Sequence, residues 1–286
     1  MGSAAAFEPL RHRLFGLAYR MLGSRADAED IVQEAYVRWH QTEADTVRNP
    51  EAWLVTTATR LAIDRLRALK TEREAYTGPW LPEPLIGAEL PPDREAELAS
   101  DLSVAFMVLL ERLAPEERAA FLLHDVFDCG YGEIARLLGK SETASRQIVH
   151  RARGRVRGEQ SRFQASEAAR VRLLKTFVAA MEARDEQTLM QLFAPDATWT
   201  ADGGGKAAAG PRPIEGADAI LKLLLGLQRR FSRDGVTLHL GSVNGETGLL
   251  VRLEGRVGAA ISVVIEGDRI ARAYAIVNPD KLPAAM

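Results

Sequence analysis

Cysteine is almost absent. Cys129 is the single one in 286 residues, so no internal disulfide can form, and the chain is expected to work in a reducing compartment, the cytoplasm. The expected role of Cys129 is that of a small buried residue at a helix end. No apolar run approaches the roughly 18 to 20 residues that span a bilayer, so no membrane segment is expected. The first residues also lack the basic start, apolar stretch and cleavage site of a secretory signal. No second His or Cys stands at ligand spacing from His150, so neither a metal nor a cofactor is expected. Internal repeats and low-complexity tracts are missing, and without a heptad repeat the free chain is expected to be a monomer. Net charge is nearly missing too, at -2 from 37 basic and 39 acidic residues.

That balance hides a segregation. Positive charge is dense over residues 146–162 and again at Arg60, Arg65, Arg67, Lys70 and Arg73, whereas acids gather over 27–34 and 83–97. Exposed charges are screened beyond about 8 Å at physiological salt, so local stripes decide contact with DNA. The length fits two or three domains, and four segments separate by composition. Residues 7–76 are helical in pattern, with Ser24 as a cap, a polar loop over 42–49 and Pro50 opening the next helix. Residues 77–93 are too rich in proline and glycine for a regular element and read as an extended connector, although Trp80, Leu81 and Leu85 are more apolar than a solvated tether needs. Helical periodicity returns over 94–162, with Pro115 starting one helix.

From 166 to 282 the class changes. Residues 167–193 and 214–230 read as helices. Strand runs are broken at Asn244-Gly245, Gly255 and Gly267-Asp268, which predicts a meander of four or five strands. The expected fold is therefore multidomain: two all-α helical bundles followed by an α+β domain with a curved antiparallel sheet.

The densest signal lies over residues 131–157. Ile134, Ala135, Leu137 and Leu138 recur at helical spacing, Gly139 is a C-cap, and Ser141 offers an N-cap to a second helix. That helix carries Arg146, Arg151, Arg153, Arg155 and Arg157 opposite an apolar stripe of Ile148, Val149, Ala152 and Val156. A tight turn before a cationic helix is helix-turn-helix geometry. Short polar side chains at its start suit base edges, and the arginines suit phosphates.

In order and spacing, DAEDIVQEAYVRWHQ, PEAWLVTTATRLAIDRLR and YGEIARLLGKSETASRQIVHRARGRV resemble regions 2.2, 2.3 to 2.4 and 4.2 of a bacterial RNA polymerase sigma factor of the extracytoplasmic-function (ECF) type. The resemblance implies region 2 at 7–76 and region 4 at 94–162, with core RNA polymerase and promoter DNA as partners. Asp27, Asp30, Gln33, Glu34, Tyr36, Val37 and Trp39 would dock on polymerase. Arg48, Asn49, Trp53, Arg60, Asp64, Arg65 and Arg67 would read and melt the -10 element. Ser141, Glu142, Thr143, Ser145, Arg146, Gln147, His150, Arg151, Arg153 and Arg155 would meet the -35 element, with Arg146 the expected base reader. Thr59 departs from the family pattern, where many members carry Asn.

Three further motifs, WLPEP (Trp80, Leu81, Pro82, Glu83, Pro84), DGGGK (Asp202, Gly203, Gly204, Gly205, Lys206) and NPDKL (Asn278, Pro279, Asp280, Lys281, Leu282), match hallmarks of the ECF41 subgroup. That match implies a C-terminal SnoaL-like, NTF2-like cone over 166–282, fused as a regulator in place of a separate anti-sigma protein. Connector and tail motifs are expected to meet, with Asp202 and Lys206 as rim charges. Two rival readings compete: a one-component helix-turn-helix regulator whose cone senses a ligand, and an NTF2-type enzyme with a DNA tether. The second would draw on Trp199, Asp202, His239, Arg252, Glu254 or Tyr274, among which no acid and base pair stands out.

Overall fold

The computed structural model describes residues 6–43, 47–87, 102–160, 165–231 and 235–283. Expectations for 44–46 of the polar loop, 88–93 of the connector, 94–101 and 161–162 of the second helical segment, and the Arg157 side chain lie outside the described residues. The chain forms two compact units, Met1–Glu74 with Leu109–Gly158, and Ala75–Val108 with Glu159–Met286.

The first unit is helical. Helices α1 (Arg11–Leu22), α2 (Arg25–Gln41) and α3 (Pro50–Glu74) follow one another through short caps. Gly23, at φ 68°, ends α1, and the Ser24 hydroxyl accepts from Asp27 N at 3.2 Å to start α2. Helix α4 (Val104–Leu110) spans the point in the chain where the units divide, after Val108; α5 (Pro115–Asp125), α6 (Tyr131–Leu138) and α7 (Glu142–Gln160) complete the helical unit. A buried and a half-buried arginine join its two chain segments. Arg118 donates to Met21 O and to Glu111, both at 2.7 Å, while Arg73 donates to Leu22 O at 2.6 Å and also pairs with Glu111. Burial lowers the pKa of the Arg73 guanidinium, against the pull of Glu111.

The second unit is α+β. Residues 167–193, expected as one helix, form two, α8 (Glu167–Ala183) and α9 (Glu186–Leu192), and Phe193 already belongs to a strand. The break has a local cause. Arg184 turns left-handed at φ 55°, and the Asp185 carboxylate accepts from Thr188 N at 3.0 Å to start α9. Strands β1 (Phe193–Asp202) and β2 (Ile214–Glu215), helix α10 (Ala217–Phe231), and strands β3 (Val236–Val243), β4 (Glu246–Leu253), β5 (Arg256–Glu266) and β6 (Arg269–Ile276) follow. The sheet order is β2-β1-β6-β5-β4-β3; β3 to β6 form the expected meander, and β1 pairs parallel to β6.

Alternation sends side chains to two cores. On β6, Ala273 and Ala275 face the layer of α8, α9 and α10 with Phe177, Phe193 and Trp199. Tyr274 and Ile276 face the opposite side, which is covered by Leu81 of the connector and by Val104 and Ala105 of α4. Strand β5 is consequently buried without interruption from Ala259 to Ile265, as expected of a strand covered on both faces.

Candidate DNA-binding face and connector clasp

Helix α7 is positioned by its own turn and by carboxylates of α5. Gly139 stands at φ 65°, and the Ser141 hydroxyl accepts from Ala144 N at 3.2 Å. The stripe of Ile148, Val149, Ala152 and Val156 is buried, which turns the cations outward. Tyr131, Arg146, Gln147, His150, Arg151 and Arg153 line an open cleft of about 430 Å³. Arg146 pairs with Glu142 at 2.7 Å and lies 5.0 Å from the Tyr131 ring centroid, two contacts that orient its guanidinium. Tyr131, which the sequence reading did not single out, also packs 4.2 Å from the His124 ring.

Two -35 residues sit differently from expectation. Ser145 is fully buried and its hydroxyl donates to Ser141 O at 3.1 Å, so it braces the turn and cannot meet a base. Arg153 donates to both oxygens of Asp125, at 2.7 and 2.8 Å, which ties α7 to α5. Arg155 pairs with Glu117 at 2.6 Å, and Arg151 stands 4.0 Å from the same carboxylate. Ser141, Glu142, Thr143, Gln147 and His150 are exposed.

On α2, Asp30, Gln33, Glu34 and Val37 form one exposed row at spacings of three and four. Trp39 does not belong to it: at 2% exposure it is core, with its ring 5.3 Å from the half-buried Trp53. Tyr36 packs on Phe7 at 4.8 Å. Asp27 is turned inward and accepts from Arg65 at 2.8 Å, so this pair joins α2 to α3; the bond raises the Arg65 pKa further. Arg60, Asp64 and Arg67 form the exposed face of α3. Arg60 reaches Leu137 O at 3.4 Å and Arg136 O at 3.5 Å, the carbonyl end of α6, and Arg67 pairs with Glu116 at 2.9 Å. Asn49 caps α3, its side-chain oxygen accepting from Ala52 N at 3.0 Å, beside the exposed Arg48. Thr59, where the family pattern differs, is buried and donates to Val55 O at 2.7 Å.

In the second unit, WLPEP, DGGGK and NPDKL come together around one carboxylate. Asp202 ends β1 at 0% exposure, which corrects its expected place at a rim. One oxygen accepts from the Tyr76 hydroxyl at 2.6 Å and from Gly204 N at 3.1 Å; the other accepts from Leu81 N at 2.8 Å and from Lys281 Nζ at 2.7 Å. Lys281 donates as well to Leu81 O at 2.5 Å and lies 4.2 Å from the Trp80 ring centroid. Asn278 donates to the Tyr76 hydroxyl at 2.9 Å and caps the turn Pro279–Lys281 by accepting from Asp280 N at 3.0 Å. Pro82 and Pro84 are buried, Glu83 is half-buried, and Leu282 packs on the sheet.

The glycines of DGGGK are required by this closeness. Gly204 and Gly205 have φ of 58° and 72°, and a Cβ on Gly204 would run into the Asn278 amide and the Tyr76 hydroxyl. A Cβ on Gly203 would strike Ala207 O. At the rim, Lys206 pairs with Asp280 at 2.5 Å. Tyr76 marks only the end of the first helical segment in the sequence, although it is the aromatic residue just ahead of the connector. Its phenol pKa is raised, first by burial and then by the bond to Asp202.

The remaining cone candidates do not converge. Trp199 and Tyr274 lie in cores on opposite faces of the sheet. His239 is exposed and bonds Thr237 at 2.9 Å, Arg252 donates to Gly255 O at 3.0 Å, and Glu254 is an exposed turn residue at φ 50°. Among the described residues no cluster of three or more His, Cys, Asp or Glu could hold a metal ion, and no helix is long and apolar enough to cross a membrane.

Residues 6–72 match the model of Sigma-70 region 2 and residues 103–156 that of Sigma-70, region 4. The ECF RNA polymerase sigma factor SigJ of Mycobacterium tuberculosis is 38% identical, over 96% of this chain and 91% of that protein. The ECF sigma factor SigG of the same species is 30% identical over 68% of this chain and 60% of that protein. The crystal structure of M. tuberculosis SigJ superposes with a TM-score of 0.78 at 36% identity, covering 97% of each chain. With two sigma-region matches, a relative of this similarity over nearly its whole length, and a common fold that includes the C-terminal α+β domain, the chain belongs to the ECF RNA polymerase sigma factors.

Proposed function

We propose that the chain directs core RNA polymerase to particular promoters and helps to open them, with its own C-terminal domain as regulator in place of a separate anti-sigma protein. The row of Asp30, Gln33, Glu34 and Val37 docks on polymerase. Helix α7 enters the major groove at -35, with Arg146 on a base and His150, Arg151 and Arg155 near phosphates. Arg48, Asn49 and the exposed face of α3 hold the -10 strand, where captured bases offset the roughly 1 to 2 kcal/mol lost per opened base-pair step. The chain works as a monomer in the cytoplasm and catalyses no reaction of its own.

Elements at -35 and -10 stand about 25 base pairs apart, ~85 Å along B-DNA. Arg60 Nε stands 3.4 Å from Leu137 O. Reading both elements of one promoter therefore requires α3 and α6 to part, with DNA phosphate replacing the α6 carbonyls as partner of Arg60. The observation that carries the regulatory reading is the buried Asp202, which takes four donors: Tyr76 just ahead of the connector, Leu81 of the connector, and Gly204 and Lys281 of the two tail motifs. A connector clasped in this way limits how far region 4 can travel from region 2.

Run-off transcription with core polymerase tests this, comparing the whole chain with a version ending just before Asn278. Promoter-dependent transcripts that require core polymerase, with output changed by the truncation, are expected. Failure of the whole chain to associate with core polymerase would refute the reading.

A further inference from the structure

We infer that Asn244 is a positioning residue for the -35 module: it anchors the start of region 4 to the C-terminal domain, and so helps to set the spacing between promoter elements that the holoenzyme accepts. The inference rests on the reading of the chain as a promoter-directing factor.

Asn244 opens the turn between β3 and β4 at φ 55°, a left-handed conformation that Asn tolerates better than most residues. Asn-Gly is a common hairpin turn and needs nothing more than that. Here the residue is fully buried. Its backbone N donates to Leu85 O at 2.8 Å, its side-chain oxygen accepts from Leu85 N at 2.9 Å, and its side-chain nitrogen donates to Leu102 O at 2.8 Å. Neighbouring backbone reinforces the first of these grips, since Ile86 bridges Val243 and Gly87 N donates to Ser242 O at 3.3 Å.

The second grip reaches further. Leu102 precedes Ser103, whose hydroxyl accepts from Phe106 N at 3.2 Å and whose carbonyl accepts from Met107 N at 2.9 Å at the start of α4. The region 4 match begins at residue 103. One side-chain amide thus joins Leu85 of the connector, before residues 88–101, to the residue that precedes the first cap of region 4 after them. The chemistry demands both ends of that amide. A carboxylate could accept from Leu85 N but has no proton for Leu102 O, and an alcohol is too short to span both. This tie lies outside the three motifs around Asp202 and grips the connector at Leu85, just after WLPEP.

The test uses the full-length chain with a core polymerase that the wild type activates, on promoters with identical elements and spacers from two base pairs shorter to two longer. Asn244→Gly keeps the left-handed turn and the backbone bond to Leu85 while deleting both side-chain bonds; Asn244→Asp deletes the donor to Leu102. Both variants are expected to raise output on off-length promoters, relative to the optimal one, by about threefold or more, the size of one buried hydrogen bond. Hydrogen exchange at residues 103–107 should quicken in both, with strands β4 and β5 unchanged. An unaltered spacer profile overturns the inference, as does a uniform fall on every promoter with faster exchange throughout. If the wild type gives no promoter-dependent transcript, the underlying functional reading fails, whereas wild-type transcription with unchanged variant profiles sinks the anchor alone.

Discussion

Cations meet carboxylates both on the recognition helix and in the clasp, but in different solvent. Arg146, Arg151 and Arg155 keep 61, 58 and 53% of their side-chain surface in water, whereas Lys281 and Asp202 keep 12 and 0%. Exposed pairs are weak and exchangeable, at about 0 to 1 kcal/mol, so another anion can replace Glu142, itself 54% exposed, beside Arg146 at little loss. A desolvated pair cannot change partners in that way, because either ion left alone in the interior is strongly unfavourable. The difference suits a binding face in one place and a fixed joint in the other.

The contrast is broken most severely at the joint. Asp202→Ala leaves the Tyr76 hydroxyl, Leu81 N and the Lys281 ammonium without their common acceptor, and is expected to lower stability by about 3 to 5 kcal/mol in denaturant unfolding of the whole chain. On the open face the effect moves from folding to recognition. Arg146→Ala is expected to reduce discrimination at one -35 base pair by about 1 to 3 kcal/mol, measured as holoenzyme binding to promoters varied at each position, with the unfolding midpoint unchanged. Ser145→Val should do the reverse.

A smaller change sharpens the clasp. Tyr76→Phe removes a hydroxyl that links Asp202 and Asn278 and is expected to lose about 1 to 2 kcal/mol at neutral pH. Because the folded phenol titrates above its usual value of 10.0, its contribution is complete below that pH and is lost as pH rises toward the folded value. Wild type and Tyr76→Phe should therefore converge in stability in strong alkali, and divergence there would remove Tyr76 from the joint. The smallest effect belongs to the rim, where Lys206→Ala should change stability by less than about 1 kcal/mol and only at low salt, since Lys206 and Asp280 are 57 and 58% exposed.

Much of this was legible because it is local. Ser24, Gly139 and Ser141 mark helix ends through bonds to residues three or four away, Pro50 marks one through its fixed φ, and Asn244-Gly245 and Gly255 mark turns through their own backbone. What failed depended on rotation or on distant partners. Trp39 and Ser145 have the right chemistry for an interface but sit on the buried side of their helices. Arg184 gives no composition signal for the left-handed turn that divides α8 from α9. The parallel pairing of β1 with β6 and the inward turn of Asp202 depend on partners far along the chain, so periodicity carried no trace of them. The three motifs around Asp202 were visible as words, and only the fold supplied their grammar.

The cover on the second face of the sheet has its own consequence. Leu250, Ala260, Val264, Tyr274 and Ile276 are shielded by Leu81, Val104 and Ala105, all of which precede residue 109 in the chain. Cutting the gene at residue 166 would strip that lid and present a greasy plate to solvent. The C-terminal domain cannot be lifted out as a free-standing module, and any shuffling of this architecture between proteins has to carry the connector along.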